Sequence, residues 1–256
     1  MDILTQTISL LFRHRQTEIG RFGQDIDHIQ RKQLHALLST ARKTEWGLKY
    51  DYKSIHTYED FRNRLPIQTY EEVKPYVERL RAGEQNLLWP SEIRWFAKSS
   101  GTTNDKSKFL PVSKESLNDT HYQGGKDAVT LYLAQNPDSR FFSGQGLILG
   151  GSHSPNLNSR HGLVGDLSAI LIQNIHPLVN CVRVPSKKIA LMSDFEKKIE
   201  AIANSAVSKN VTSLSGVPSW MLVLIKRILE KTGKESLEEI WPNLEVFFHG
   251  GVAFTP

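Results

Sequence analysis

The 256-residue chain is poor in sulfur, with one cysteine, Cys181, and three methionines. A single thiol closes no intrachain disulfide, so core packing must hold the fold, as suits a reducing compartment. Long apolar runs are also missing. Leu10-Leu11-Phe12 is too short for a signal sequence or a membrane span, and no basic stretch precedes it. A cytoplasmic protein without membrane contact is expected. No internal repeat or low-complexity tract occurs. The spacing Gly-x-x-x-x-Gly-Lys-Ser/Thr is absent, which sets aside a Walker phosphate loop, and no Gly-x-Ser-x-Gly elbow points to an α/β-hydrolase. Neither sign of charge dominates: 32 basic and 27 acidic residues leave a net +5. The basic residues come in scattered pairs such as Arg31-Lys32, Lys187-Lys188 and Lys197-Lys198, mostly interleaved with acids. These read as solvated helix faces, and nucleic acid is not expected as a partner.

What is present suffices for a large core: 39% of residues are hydrophobic and 23% charged. Residues 3–45 read as helical, with Ile26, Gln30, Leu34, Leu37, Leu38 and Ala41 at helical spacing and Trp46-Gly47 ending the pattern. Residues 48–90, with Pro66, Pro75 and Pro90, read as short helices between extended pieces. From residue 92 the period changes. Ile93, Trp95 and Ala97 alternate with polar neighbours as in a half-buried strand, and Phe109–Val112 reads as a second strand. Ser113 can cap a helix beginning near Lys114. Farther on, Leu147–Leu149 and Val211–Leu214 read as strands. Residues 194–208 form an amphipathic helix, and another runs from Pro218 to about Lys231 with Gly233 as its C-terminal cap. Leu244–Phe248 reads as a last strand, breaking at Gly250-Gly251. Strands alternating with helices predict an α/β fold, with a helical segment over 1–90 packing on an α/β part over 91–256.

The informative stretch runs Ser99-Ser100-Gly101-Thr102-Thr103-Asn104-Asp105-Lys106-Ser107-Lys108. It puts hydroxyls and a glycine between two strands and follows them with lysines. Amides of such a loop can converge on an anion while hydroxyls and a lysine meet phosphate oxygens. The same residues also make an ordinary surface hairpin. Gly144 through Gly150 resembles a dinucleotide fingerprint only superficially, because its glycines precede the strand instead of following it. His153 and His161 share a polar loop without zinc-ligand spacing.

The loop is similar to the first nucleotide-binding motif of the acyl-adenylate-forming superfamily, which includes firefly luciferase and acyl-CoA synthetases. Its usual form is Ser-Gly-Thr-Thr-Gly-x-Pro-Lys. Here Asn104 replaces the second glycine, and Lys108 falls one residue late. The double serine and longer spacing resemble a narrower branch, the auxin-responsive acyl acid–amino acid ligases (amido synthetases), in particular bacterial members. Tyr70-Glu71-Glu72-Val73-Lys74-Pro75-Tyr76 with Arg79 and Gly83 resembles that family's lead-in. Ser215 through Trp220, Trp241 through Glu245 and His249 through Val252 resemble its later stretches.

The resemblance implies the N-terminal part of an acyl-adenylate-forming large domain, incomplete in the residues given. It implies that Ser99, Ser100, Gly101, Thr102, Thr103 and Lys108 surround the phosphates of ATP, and that Gly250 and Gly251 approach the adenine and acyl-adenylate. Thr120, Gly124 and Val217 would face the acyl acid. Gly124-Gly125 inside a helix either makes room for substrate or marks a kink. The implied activity uses ATP and Mg²⁺ to activate an acyl acid as acyl-AMP and join it to an amino acid. An acyl-CoA synthetase or a non-catalytic nucleotide-binding module are the alternatives. The superfamily's later acidic motifs and C-terminal domain have no match here, so a truncated, inactive portion is expected; no catalytic residue or metal ligand is identified.

Overall fold

The computed structural model describes residues 2–99 and 107–250. The chain divides into two compact units, each built from separate stretches: His14–Ala128 with Ser154–Val164, and Met1–Arg13 with Val129–His153 and Gly165–Pro256. Strands begin only at Trp95, after five α-helices.

The segment read as helical over 3–45 holds two long helices, Ile3–Arg21 and Ile26–Ala41, the second lying in the first of these units and burying Leu38 and Ala41. Phe22, Gly23, Gln24 and Asp25 interrupt them. Trp46-Gly47 does not end the helical pattern but starts a new turn. Thr44 accepts from the Gly47 amide at 3.0 Å and caps the helix Glu45–Lys49. The helix Tyr70–Ala82 is longer than the short stretch expected and carries Pro75 in its interior. Its start is fixed by Glu72, whose carboxylate accepts from the Thr69 amide at 2.6 Å. Its end is Gly83, at φ +109°, where a β-carbon would also lie 2.8 Å from the ring of His161. Arg79 grips the Glu45 carboxylate with both terminal nitrogens, at 2.8 and 2.7 Å, and gives Nε to Glu84. That residue therefore joins two helices.

The sheet of this unit has strand order β2-β1-β4, where β1 is Trp95–Lys98, β2 is Phe109–Val112 and β4 is Leu163–Gly165. β1 and β2 are antiparallel. The alternation read from Trp95 and Ala97 is not kept, because Phe96 and Ala97 are both buried. A strand covered on both faces has no solvent side to reward alternation. Phe96 packs with Val77, Leu80, Leu87, Ile93 and Val164.

The other unit holds a parallel sheet of order β5-β3-β6-β7, with β3 Gln145–Leu149, β5 Arg183–Val184, β6 Val211–Gly216 and β7 Val246–Phe248. Leu147, Leu149, Val184 and Leu214 bury one face against Ile199 and Ile202 of the helix Phe195–Ala206 and Met221, Leu224 and Ile228 of the helix Pro218–Thr232. Asp194, read as the first residue of its helix, instead caps the first of these, and Gly233, at φ +66°, ends the second as the spacing predicts. Trp241 is buried in the same core and donates its indole N–H to the Ala206 carbonyl at 3.2 Å. The chain crosses from β5 past β3 to β6, so the strand order reverses between β3 and β6.

One residue contradicts its sequence reading outright. Lys198, taken with Lys197 as part of a solvated face, is only 1% exposed. Its ammonium donates to the carbonyls of Gly150 at 3.2 Å and Gly151 at 2.9 Å and to Ser152 Oγ at 2.9 Å. Three donors thus meet three acceptors, which is what lets a charge stay inside. Burial still pushes its pKa down, with Asp166 acting in the opposite direction.

Candidate functional site

The hydroxyl-rich loop is carried between β1 and β2. Its base is closed by the Ser99 amide donating to the Lys108 carbonyl at 3.0 Å, one step past the Lys98–Phe109 register pair. Ser100, Gly101, Thr102 and Thr103 lie outside the described residues, as does Gly251. The exit strand is pinned by Tyr70, whose hydroxyl accepts from the Phe109 amide at 2.9 Å and reaches the Phe109 carbonyl at 3.3 Å. The helix of the lead-in motif is thus bonded directly to the strand that leaves the loop.

Both ends of the loop border a cavity of about 440 Å³. Lys98 enters from one end and Ser107 and Phe109 from the other. The helix Tyr70–Ala82 supplies Tyr70, Lys74, Val77, Glu78 and Arg81, and Asn156 and Leu157 complete the lining. Spacings of four and seven put Tyr70, Lys74, Val77 and Arg81 on one helix face. Three cations and one carboxylate leave this cavity net positive. Arg81 is held in place without an acid: its guanidinium carbon lies 4.0 Å from the centre of the Phe109 ring, and Nη2 donates to the Leu157 carbonyl at 2.8 Å. Its Nε is buried with no partner among the described residues. Among those residues no acid pairs with Lys98 either, while Lys74 meets Glu71 at 3.5 Å on the surface. Lys108 is exposed, with its ammonium 5.4 Å from the Tyr70 ring centre.

Lys74, Arg81 and Lys98 were not singled out as binding residues by the sequence reading. The signal was present in the helical spacing of the lead-in and in the lysine directly before Ser99. It was masked because alternation along β1 turned Lys98 toward solvent.

The helix after the loop starts as expected, with the Ser116 amide donating to Ser113 Oγ at 3.0 Å. Ser116–Tyr122 is then π-helical, and α-helix resumes over Gln123–Gln135. Thr120 is exposed on the π-helical stretch. Gly124 and Gly125 sit inside the continuing α-helix, and a β-carbon on either would meet no atom within 4 Å. Wide helical turns recur at functional sites, and the glycines leave open space beside this one.

Val217 and Gly250 belong to the other compact unit. β6 and β7 run parallel, with Ser215 opposite Phe248, so the chain leaves both strands at the same edge through Gly216-Val217 and His249-Gly250. β3 ends there too, with Leu149 opposite Gly216. The carboxyl edge of a parallel sheet, at the point where strand order reverses, is where such folds bind ligands. The turn after β3 has its polar groups occupied: the Gly151 amide donates to Ser168 Oγ and the Ser152 amide to Asp166 Oδ2, while the Gly150 and Gly151 carbonyls take Lys198.

A further stretch marked by the resemblance, Trp241 through Glu245, is scaffold in this structure. Glu245 accepts from the Tyr132 hydroxyl at 2.9 Å and Ser139 Oγ at 2.6 Å, and Trp241 is core. Among the described residues no helix is long and apolar enough to cross a membrane, and no three His, Cys, Asp or Glu stand close enough to hold a metal ion.

Known proteins with this pattern agree with the resemblance drawn from the loop. A probable indole-3-acetic acid-amido synthetase of Oryza sativa subsp. japonica, GH3.7, is 34% identical over 106 residues, 39% of this chain and 17% of its own length. The jasmonoyl–L-amino acid synthetase JAR4 of Nicotiana attenuata is 32% identical over 102 residues, 38% and 17%. The indole-3-acetic acid-amido synthetase GH3.5 of Arabidopsis thaliana is 25% identical over 118 residues, 46% and 19%. Among solved structures, GH3.15 acyl acid amido synthetase superposes with a TM-score of 0.71 at 17% identity, over 91% of this chain and 50% of that one. The fold is therefore that of the N-terminal part of such a large domain, and this chain spans about half the length of that structure. The N-terminal domain of the GH3 family matches residues 15–256, nearly the whole sequence, and on that match the chain belongs to the GH3 family.

Proposed function

We propose that this chain is the phosphate-holding N-terminal portion of an ATP-dependent acyl acid amido synthetase of the cytoplasm. The carboxylate of an acyl acid attacks the α-phosphate of ATP to give acyl-AMP, and the amine of an amino acid then displaces AMP to give an amide. One observation carries this reading: both ends of the hydroxyl-rich loop border a cavity lined by Lys74, Arg81 and Lys98, and neither Arg81 nor Lys98 has an acid partner among the described residues. Ser99, Ser100, Gly101, Thr102, Thr103 and Lys108 are assigned to the nucleotide's phosphates. Thr120, Gly124 and Val217 are assigned to the acyl acid, and Gly250 and Gly251 to the adenylate. Catalysis by such groups is positioning and charge stabilisation, not covalent chemistry. Mg²⁺, which neutralises phosphate charge, would arrive with the nucleotide, and no step is assigned to it.

The test is equilibrium binding of ATP to this chain and to Thr102→Ala and Thr103→Ala. Loss of phosphate hydrogen bonds should weaken ATP by about tenfold in each. Binding untouched by both substitutions overturns the assignment of the loop.

A further inference from the structure

The cavity beside the loop has a role of its own. Its cations come from outside the loop motif: Lys74 and Arg81 from the helix Tyr70–Ala82, and Lys98 from the end of β1. We propose that Lys74, Arg81 and Lys98 form a receiving site for the pyrophosphate that leaves when the acyl acid is adenylated, so that this chain binds inorganic pyrophosphate without a nucleoside. The inference rests on the reading given under Proposed function for the reaction, but not for the binding.

Charge comes first. Three cations face one lining carboxylate, Glu78, and Lys74 also meets Glu71 at 3.5 Å at the surface, so a net positive charge remains for an anion to neutralise. Arg81 cannot escape to water by rotating, because Phe109 covers its face and the Leu157 carbonyl holds Nη2. Held in this way, the guanidinium lines the cavity without an acid among the described residues, and its fork of donors suits the oxygens of an anion. The aromatic rings decide between the two ends of a nucleotide. Phe109 is covered by Arg81 and Tyr70 is approached by the Lys108 ammonium, so each ring is already matched with a cation. A purine stacking on either ring would compete with that cation for the aromatic face. A polyphosphate needs only the cations and the donor groups of Asn156 and Ser107.

The chemistry of the first step asks for such a site. As a carboxylate oxygen bonds to the α-phosphorus, the bond from that phosphorus to the bridging oxygen breaks. The electron pair leaves with the β- and γ-phosphates, and no proton has to be supplied. Negative charge therefore builds on the departing pyrophosphate, and cations held where it lands stabilise that charge as it develops.

The experiment is calorimetric or ³¹P NMR titration of inorganic pyrophosphate into this chain and three variants, each first checked for an unchanged unfolding temperature. Lys98→Gln and Lys74→Gln should each weaken pyrophosphate by about tenfold, with affinity falling as salt rises. Glu78→Gln, which removes the carboxylate that lines the cavity, should tighten it. AMP should not displace it. Arg81 is packed on Phe109, so its replacement also tests folding and is left aside. Pyrophosphate binding that is absent, or equal in the parent chain and both lysine variants, overturns the proposal whatever ATP does. Displacement by AMP overturns it too. Pyrophosphate binding that falls in Lys98→Gln while ATP fails to bind leaves this site standing and removes the ligase reading instead.

Discussion

Lys198 offers the sharpest test of the fold, because a buried ammonium is held there by three oxygens. Lys198→Met keeps the length of the side chain and removes the charge and its donors. Ser152 Oγ retains a role, since it donates to the Met192 carbonyl at 2.8 Å. The Gly150 and Gly151 carbonyls lose the lysine, and a buried acceptor left unmade costs about 1–3 kcal/mol. Two such groups cost about 2–6 kcal/mol, offset in part because no ammonium has to be desolvated any longer. A net loss of about 3 kcal/mol is expected, which lowers the midpoint of thermal unfolding by roughly 6–12 °C for a chain of this size. Circular dichroism melts of the parent and the variant read it directly. The lysine's pKa adds a sign. Burial lowers it in the folded state, so between that value and the ordinary 10.5 the unfolded chain holds more protons. This group's contribution to stability therefore rises with pH across that window, and the slope should vanish in Lys198→Met. A variant that melts at or above the parent temperature would refute the view that the ammonium holds the turn after β3.

Four smaller tests follow from single contacts. Gly216→Ala puts a β-carbon 2.6 Å from the Leu149 carbonyl oxygen at φ +156°, and should cost about 1–3 kcal/mol by overpacking, seen as a lower melting temperature. Gly124→Ala meets open space in a helix interior and should instead stabilise by about 1 kcal/mol, raising the melting temperature by about 2–4 °C; a lower temperature would contradict the helix seen there. Tyr70→Phe strands the Phe109 amide and should cost about 1–2 kcal/mol by chemical denaturation, with no change expected only if water replaces the hydroxyl. Glu200 is hydrogen-bonded by Lys231 and Arg227, which lower its pKa from 4.5 to about 2. A depressed carboxylate contributes above about 4.5 and stops contributing as pH falls through about 2, so Glu200→Gln should lower the melting temperature at neutral pH and leave it unchanged in strong acid.

Local pattern was enough for much of this protein. Ser113, Pro218 and Gly233 mark helix ends by their own backbone chemistry, and each sits where its spacing says. The loop between Lys98 and Phe109 was legible for the same reason, since hydroxyls and glycine at that density answer to a local demand. Packing across the chain decided the rest. Whether Phe96 or Trp95 faces the core depends on what covers the sheet from above and below, which no period of two records. Lys198 looks like any solvated lysine until the turn after β3 is brought over it, because a buried charge is tolerated only where distant carbonyls converge. The cations of the cavity are likewise spread over residues 74, 81 and 98, and only the seating of one helix beside one hairpin makes them a single positive site.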